Sequence, residues 1–169
     1  TVATNLVVER KGAPLGLITT EGFRDVIELR DGSKQNRYDI RAPFPQPLIR
    51  RPERLEVPER INAQGGVETV LDEGAVRCAI AALQEAGVEG LVVFFVNAHR
   101  NGMHEARVRE LVAESGWAPF VSLSHEVLSR EGEYDRISTA AVNAYVGPGL
   151  GGYLQRVAEN LGANGLTAP

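Results

Sequence analysis

Apolar residues at helical spacing mark one well-defined helix in the middle of the chain. Asp72 precedes them and is a good N-cap, while Gly87 follows them and suits a left-handed helix end. The apolar stripe between these two residues consists of Val76, Ile80 and Leu83. We therefore predict a helix from Asp72 to Gly87 with one face in the core.

A continuous apolar run, Leu91–Val96, follows this helix and is typical of a parallel strand covered on both faces. Asn101 can cap a second helix that ends at Gly116, and Phe120–Leu123 is a second short strand. Helix, strand, helix and strand with short loops predict a crossover unit over residues 72–123. The fold class is therefore predicted to be α/β, with a mixed sheet and crossover helices.

The first thirty residues predict two more helices around a short strand. Thr4–Lys11 has a helical pattern that Gly12 can end, and Leu15–Ile18 is a buried strand. Thr20 is placed to cap a helix over Glu21–Leu29.

Residues 30–70 have a different composition. Proline and arginine are dense over residues 30–60, which excludes a long helix and favours an extended crossing segment at a surface or subunit contact. Leu55–Ile61 and Val67–Val70 flank Asn62–Gly66, a pattern that predicts a hairpin.

The C-terminal part, residues 133–161, is predicted to form two helices. Glu133–Tyr145 has a helical pattern, and Gly147-Pro148 is expected to kink or break it. Leu150–Leu161 resumes with an apolar stripe at helical spacing, which requires a packing partner.

Composition adds limits to this picture. The chain has 169 residues, of which 43% are hydrophobic and 24% charged, with a net charge of −4 spread over both signs. This distribution predicts no nucleic-acid partner and no membrane partner. A single cysteine favours a cytoplasmic protein. Because the chain starts at Thr1 without an initiator methionine, we expect an internal segment of a longer protein.

Several blocks, in order along nearly the whole chain, carry a family resemblance. Two long blocks are the most specific, Leu17–Asp25 (LITTEGFRD) and Glu133–Val146 (EYDRISTAAVNAYV). The shorter ones are Thr1–Asn5, Glu9–Ala13, Arg37–Asp39, Pro45–Leu48, Arg100-Asn101, His104-Glu105 and Ser124–Val127. Together they resemble the N-terminal region of the hydantoinase A/5-oxoprolinase family.

The resemblance implies part of an actin-like ATPase lobe, from an enzyme that uses ATP and Mg²⁺ to activate a poorly reactive substrate. The leading expectation is an ATP-dependent cyclic-amide hydrolase of the hydantoinase/5-oxoprolinase type. One alternative is a subunit of an ATP-dependent acetone/acetophenone-type carboxylase, and another is a non-catalytic interaction lobe. A cyclic amide or ketone substrate, a second hydantoinase B-like subunit and a homo-oligomer are implied partners.

Two Gly-rich segments that such enzymes use for phosphate are expected upstream of Thr1 and downstream of Pro169, so the fragment alone is expected to be inactive. Many relatives carry His-Ser-Tyr at the place of Asn97-Ala98-His99, and proline is common where this chain has Gly102.

Two groups of nucleotide- or substrate-proximal candidates lie in the first thirty residues. Thr1, Thr4 and Asn5 begin the first helix, where N–H groups and hydroxyls can face phosphate or substrate; the alternative is an ordinary capped start. Arg24 and Asp25 can orient a substrate carboxylate or carbonyl. The alternative for Arg24 is a local ion pair with Glu21 or Glu28.

A third candidate group lies on the helix that begins at Glu133. It comprises Arg136, Ser138, Thr139 and Asn143. Arg136, Thr139 and Asn143 are neighbours at helical spacing and form either a substrate-facing polar stripe or a solvated face. Ser and Thr can also bond backward to their own helix.

The remaining reactive residue types predict neither a metal site nor a nucleophile. The spacing of His99, His104 and His125 does not suit a zinc site. Cys78 is interpreted as a small packing residue. No catalytic residue is assigned from the sequence.

Overall fold

The computed structural model describes residues 2–32, 38, 39, 41 and 45–163, with side chains to residue 161. The helices are α1 Val2–Val8, α2 Val26–Leu29, a 3₁₀ turn Arg51–Glu53, α3 Glu73–Glu85, α4 Met103–Glu114, α5 Ser124–Val127 and α6 Glu133–Ala163. The strands are β1 Leu15–Thr20, β2 Arg54–Val57, β3 Arg60–Ile61, β4 Val67–Thr69, β5 Gly90–Phe94 and β6 Phe120–Leu123.

Four strands form a parallel sheet in the order β2-β1-β5-β6. The antiparallel pairing is confined to a separate hairpin of β3 and β4. The predicted α/β class is confirmed, and the two strand directions are divided between two sheets.

Helices cover both faces of the parallel sheet because its strands alternate between two apolar cores. Ile18, Leu91 and Val93 pack with α3 and α4, whereas Leu17 and Val92 pack with α2 and α6. Burial on both faces explains why the strand sequences are apolar runs. The crossover unit predicted for residues 72–123 is therefore found, with α3 leading to β5 and α4 leading to β6.

Helix α3 forms as its sequence pattern predicts. The carboxylate of Asp72 accepts the N–H of Ala75 at 2.9 Å, and Gly87 has a φ of 71° just after the helix end. The cap of α4 differs, because the N-cap is Gly102 and Asn101 accepts only the N–H of Met103. Cys78 is exposed, so its interpretation as a packing residue is wrong.

The helix predicted over Glu21–Leu29 is reduced to Val26–Leu29, and Thr20 is not its cap. Thr20 is the last residue of β1, where its hydroxyl donates to Glu59 and accepts the N–H of Val96. Thr20 stays in the strand because Glu59 and Val96, which follow the neighbouring strands β2 and β5, satisfy its hydroxyl.

The strand predicted over Leu55–Ile61 is two strands. Arg54–Val57 joins the parallel sheet, and Arg60–Ile61 joins the hairpin with Val67–Thr69. Pro58 lies between them and has no N–H for a ladder hydrogen bond. The hairpin around Asn62–Gly66 is confirmed. Much of the proline- and arginine-rich segment lies outside the described residues.

Helix α6 continues through Pro148, so the break predicted there is wrong. Proline cannot donate to the carbonyl of Ala144 four residues earlier. The neighbouring carbonyl of Tyr145 accepts the N–H of Ala13 at 3.0 Å. The helix also packs on both sides of the proline, with Gly147 against Phe120 and Gly149 against Leu6. These tertiary contacts outweigh the local cost of the proline.

Candidate functional site at the carboxyl edge of the sheet

The carboxyl ends of β1 and β5 and the first turn of α6 surround a cleft of about 620 Å³. This edge is where open parallel sheets commonly bind ligands. The lining residues are Phe23, Val26, Leu29, Arg30, Asp31, Arg60, Val96, Asn97, Gly132, Glu133, Tyr134 and Asp135. The wall therefore combines aromatic rings with two arginines and three acids.

The carboxylate of Glu105 lies behind this edge and is fully buried. It accepts the N–H of Phe95 at 2.9 Å and the hydroxyl of Ser124 at 2.6 Å. It also accepts the N–H of His125 and contacts the Nδ1 atom of that ring at 2.6 Å. The contact with Glu105 raises the pKa of His125 against the opposing effect of burial. Glu105 thus joins the ends of β5 and β6.

Arg136 is also fully buried, on the first turns of α6. Its guanidinium donates to the hydroxyl of Ser124 at 2.9 Å and to the carbonyl of Phe95 at 3.1 Å, and it lies 4.8 Å over the ring of Phe94. Burial lowers the pKa of Arg136. Its contacts show that this arginine connects α6 to β5 and to α5.

A second buried network connects β1 to the hairpin and to α4. Thr20 donates to one oxygen of Glu59, whose other oxygen lies 2.8 Å from Nδ1 of His104. Both the carboxylate and the imidazole are buried. This network fixes the backbone just before Arg60, a residue of the cleft wall.

His99 lies in the loop after β5. Both of its ring nitrogens are buried and have no hydrogen-bond partner among the described residues. Burial, together with Arg136 and Arg100, lowers the pKa of His99.

The structure divides the polar stripe predicted on α6. Arg136 is buried, and Asn143 donates to the hydroxyl of Ser122 at 3.1 Å, so these two residues face the sheet. The solvated-face interpretation is therefore wrong for Arg136. Ser138 and Thr139 donate to carbonyls of their own helix, and Thr139 is exposed.

Arg24 and Asp25 lie beside the cleft but make different contacts from those predicted. The Arg24 backbone N–H donates to Glu56 at 3.2 Å, while the buried Nε atom of Arg24 has no partner among the described residues. The predicted pair of Arg24 with Glu21 or Glu28 does not form, and Glu28 binds Arg54 at 2.7 Å.

The side chain of Asp25 is occupied by two arginines. It accepts two hydrogen bonds from Arg51 and lies 3.4 Å from Arg54. The hydrogen bond from Arg51 is the main reason that the pKa of Asp25 is lowered. Asp25 therefore acts as an ion-pair residue in this structure.

The candidates on the first helix are far from the cleft. Thr1 lies outside the described residues, and Thr4 and Asn5 are exposed on α1. Helix α1 contacts α6 near Gly149, whereas the cleft lies at Glu133. Sixteen residues of helix separate these points by about 24 Å. The structure therefore does not bring Thr4 and Asn5 to the cleft.

The described residues do not fit a bound nucleotide or magnesium ion by themselves. No group of three His, Cys, Asp or Glu side chains in this part of the chain could hold a metal ion. The sequence contains no Asp-x-Gly-Gly-Thr phosphate loop.

Comparison with known proteins identifies the family. A sequence model described as the hydantoinase/oxoprolinase N-terminal region matches residues 1–116, which is more than half of the chain. The chain belongs to this family. The predicted family resemblance is thereby confirmed.

Relatives in the hydantoinase/oxoprolinase family include enzymes with different reactions. Caprolactamase subunit alpha from Pseudomonas jessenii is 38% identical over 168 residues, covering 96% of this chain and 24% of the relative. Acetophenone carboxylase gamma subunit from Aromatoleum aromaticum is 38% identical over 160 residues, covering 86% of this chain and 22% of the relative. The chain therefore spans about a quarter of the length of these relatives, both named as subunits.

Two solved structures in this family share the fold. The ATP-dependent caprolactamase from Pseudomonas jessenii matches with a TM-score of 0.92 and 36% identity, covering 100% of this chain and 25% of that one. A nucleotide-free acetone carboxylase matches with a TM-score of 0.78 and 28% identity, covering 88% of this chain and 22% of that one. Both agree with the α/β arrangement described above.

No described helix of this hydantoinase/oxoprolinase chain is long and apolar enough to cross a membrane.

Sequence reasoning missed the residues that build the cleft wall and the networks behind it. In the sequence, Glu105 stands out only as part of the block His104-Glu105, and Arg30 and Arg60 are only the two ends of the arginine-rich segment 30–60. Glu105 does have a usable signal, because it lies in the first turn of the helix that follows a buried strand, and the first turn of a helix favours acids. The cleft arginines carry no comparable local signal, since their aromatic partners are distant in sequence.

Proposed function

We propose that this chain is part of an ATP-dependent cyclic-amide hydrolase and forms one wall of its substrate cleft. The observation that carries the proposal is the match to the ATP-dependent caprolactamase over 100% of the chain, with a TM-score of 0.92. The cleft at the carboxyl edge of the sheet supports it, because that edge is the usual ligand site of this architecture.

A ketone carboxylase is the second candidate. Sequence identity does not separate the two, since the caprolactamase and acetophenone carboxylase subunits are both 38% identical to the chain. Among the two solved structures, the match to caprolactamase covers 100% of the chain and the match to acetone carboxylase covers 88%. We therefore rank cyclic-amide hydrolysis first.

In the proposed enzyme, ATP and magnesium are held together with parts of the protein that this chain does not contain. The chain contributes a rigid edge, fixed by the buried networks of Glu105 and Glu59, and an open cleft above it. A second, hydantoinase B-like subunit belongs to the proposal because two relatives are named as subunits.

The test is ATP turnover by the full-length protein together with its partner subunit. Caprolactam, hydantoin and 5-oxoproline are compared with acetophenone plus bicarbonate, and ADP release is measured for each. The proposal expects ADP release that depends on a cyclic amide and does not require bicarbonate. Bicarbonate-dependent turnover on the ketone alone would establish the carboxylase instead, and no turnover on any substrate would contradict both.

A further inference from the structure

Two arginines of the cleft wall have aromatic rings, not carboxylates, as their partners. We propose that the cleft binds an anionic group, a carboxylate or a phosphoryl group, through Arg60 and Arg30. This proposal rests on the proposed function in one respect, since it places the ligand in the same cleft.

Arg60 is the better positioned of the two. Its guanidinium lies 5.0 Å over the ring of Phe23. The two acids just before it have other partners, since Glu56 accepts backbone N–H groups and Glu59 binds Thr20 and His104. Its backbone is fixed, since it pairs with Thr69 in the hairpin and follows the buried Glu59. A stacked guanidinium keeps its N–H groups available in its plane, which suits two oxygens of one anion.

Arg30, which also lines the cleft, has the same kind of environment. Its guanidinium lies 5.8 Å from the centre of the Tyr134 ring, and its Nε donates to the hydroxyl of that residue at 3.3 Å. The backbone has a φ of 61° and a ψ of −142°, a conformation that side-chain-bearing residues rarely adopt. Such conformations persist where the surroundings enforce them, and they concentrate at ligand sites.

Two other arginines of this protein have their charges neutralised by carboxylates. Arg54 is paired with Glu28 and Asp25, and Arg130 is paired with Asp135. The cleft also contains three acids. Asp31 and Asp135 each have an interaction of their own, the latter with Arg130, and Glu133 lies in the first turn of α6, where the helix dipole favours a carboxylate. Arg60 and Arg30 are therefore the cleft arginines that can bind an anionic ligand.

The aromatic rings define the rest of the ligand. Phe23 and Tyr134 line the cleft together with Val26 and Leu29, so the wall beside the two cations is apolar. A small organic molecule with one anionic group fits this combination better than a bare metal ion. A metal ion is further disfavoured because the described residues contain no group of three metal-ligating acids, histidines or cysteines.

The experiment measures binding to the full-length protein by calorimetry. Three probes are used: 5-oxoproline, 2-pyrrolidinone, which is the same ring without the carboxylate, and inorganic phosphate. The variants are Arg60→Gln, Arg60→Lys and Arg30→Gln. Arg77→Gln is the matched control, because Arg77 is an exposed ion-pair residue of α3, away from the cleft.

We expect Arg60→Gln to raise the Kd of an anionic probe about tenfold or more and to leave 2-pyrrolidinone binding unchanged. Arg60→Lys keeps the charge without the planar group and should give a smaller loss, as should Arg30→Gln. A loss for 5-oxoproline assigns a carboxylate, and a loss for phosphate assigns a phosphoryl group. If the wild type binds neither anion, or if Arg60→Gln changes neither Kd, the inference is wrong.

Folding and activity are read separately. The melting temperature of each variant must match that of the Arg77→Gln control, and Arg60→Lys is the variant that decides if Arg60→Gln unfolds. Binding is measured without ATP, so the two proposals can fail separately. If the wild-type protein binds an anionic probe but shows no cyclic-amide-dependent ATP turnover, the proposed function is wrong and the anion site is not. The reverse result would contradict only the anion site.

Discussion

Single buried charges at the carboxyl edge hold its residues in place. Glu105 is a fully buried carboxylate, yet it accepts hydrogen bonds from Phe95, Ser124 and His125. Removing one partner of such a network leaves the other polar groups buried without partners, which is costly. The edge should therefore be more sensitive to this residue than to any surface acid of the same helix.

We predict that Glu105→Ala lowers the free energy of unfolding by about 3–5 kcal/mol, measured by urea denaturation. The control is Glu110→Ala on the same helix, whose solvent-exposed ion pair with Arg107 should contribute far less than the Glu105 network. Equal losses in the two variants would show that the Glu105 network is not a stabilising element.

Two histidines should make stability depend on pH in opposite directions. The pKa of folded His125 is raised, chiefly by Glu105, so its contact is complete below about pH 6.5 and is lost as the pH rises through the folded pKa. The pKa of folded His99 is lowered by burial, so stability falls as the pH drops below about 6.5 toward that pKa. Stability should be greatest near pH 6.5.

The measurement is the urea midpoint from pH 5 to pH 9. His125→Gln should remove the loss on the alkaline side, and His99→Gln should remove the loss on the acid side. An alkaline loss that persists unchanged in His125→Gln would contradict this assignment.

At this scale the sequence identifies residue types better than it identifies partners. Arg136 and Asn143 are singled out by their place on one helix, and the structure does turn both toward the sheet. Their partners, Ser124 and Ser122, could not be predicted, because the pairing depends on how α6 lies across β6. For the same reason the sequence pairs Arg24 with the local acids Glu21 and Glu28, whereas Glu28 binds Arg54 in the structure.

At the scale of elements, the packing of α6 on the sheet depends on a glycine. A Cβ atom at Gly90 would lie 2.8 Å from the carbonyl oxygen of Ala144, and that backbone atom has no rotamer by which to move away. The close approach of β5 and α6 therefore requires glycine at this position.

We predict that Gly90→Ala destabilises the protein by about 1–3 kcal/mol, because the helix must shift from the strand. The matched control is Gly151→Ala, which meets no atom within 4 Å and lies inside α6. Alanine there should stabilise by about 0.5–1 kcal/mol through helix propensity. Thermal unfolding of both variants checks the pair, and opposite signs are required.

Elements with complete local signals are the ones that sequence predicts well. Helix α3 has an acid cap, an apolar stripe and a terminal glycine, and strand β5 has an uninterrupted apolar run. The predictions fail where distant contacts decide: Glu59 and Val96 keep Thr20 in its strand, and packing carries α6 through Pro148. These contacts link residues that are separated by many tens of positions, so no local pattern contains them.

At the scale of the molecule, the chain spans about a quarter of the length of its relatives, among them a caprolactamase described as ATP-dependent. We predict that the chain of 169 residues by itself binds ATP no more tightly than about millimolar, because it has no Gly-rich phosphate loop. Calorimetry with ATP and Mg²⁺ is the measurement, and the full-length protein is the positive control. Micromolar affinity of the chain alone would contradict the prediction.

The fold class and the family could be predicted from the sequence, because apolar periodicity and long motif blocks are visible without knowing which residues are in contact. The cleft could not, because its walls come from four separate parts of the chain, near Phe23, Arg60, Asn97 and Tyr134. The strand order determines which residues meet in the cleft, and no single segment of the sequence indicates the strand order.

That strand order also has a consequence for synthesis. The inner strand β1 needs two neighbours, and its partner on one side, Gly90 opposite Leu15, follows about 75 residues later. At about 5–20 residues per second, a ribosome takes roughly 4–15 s to make the intervening chain. During that interval the N–H and C=O groups along one edge of β1 have no neighbouring strand, so the nascent chain exposes the kind of unpaired strand edge that promotes aggregation.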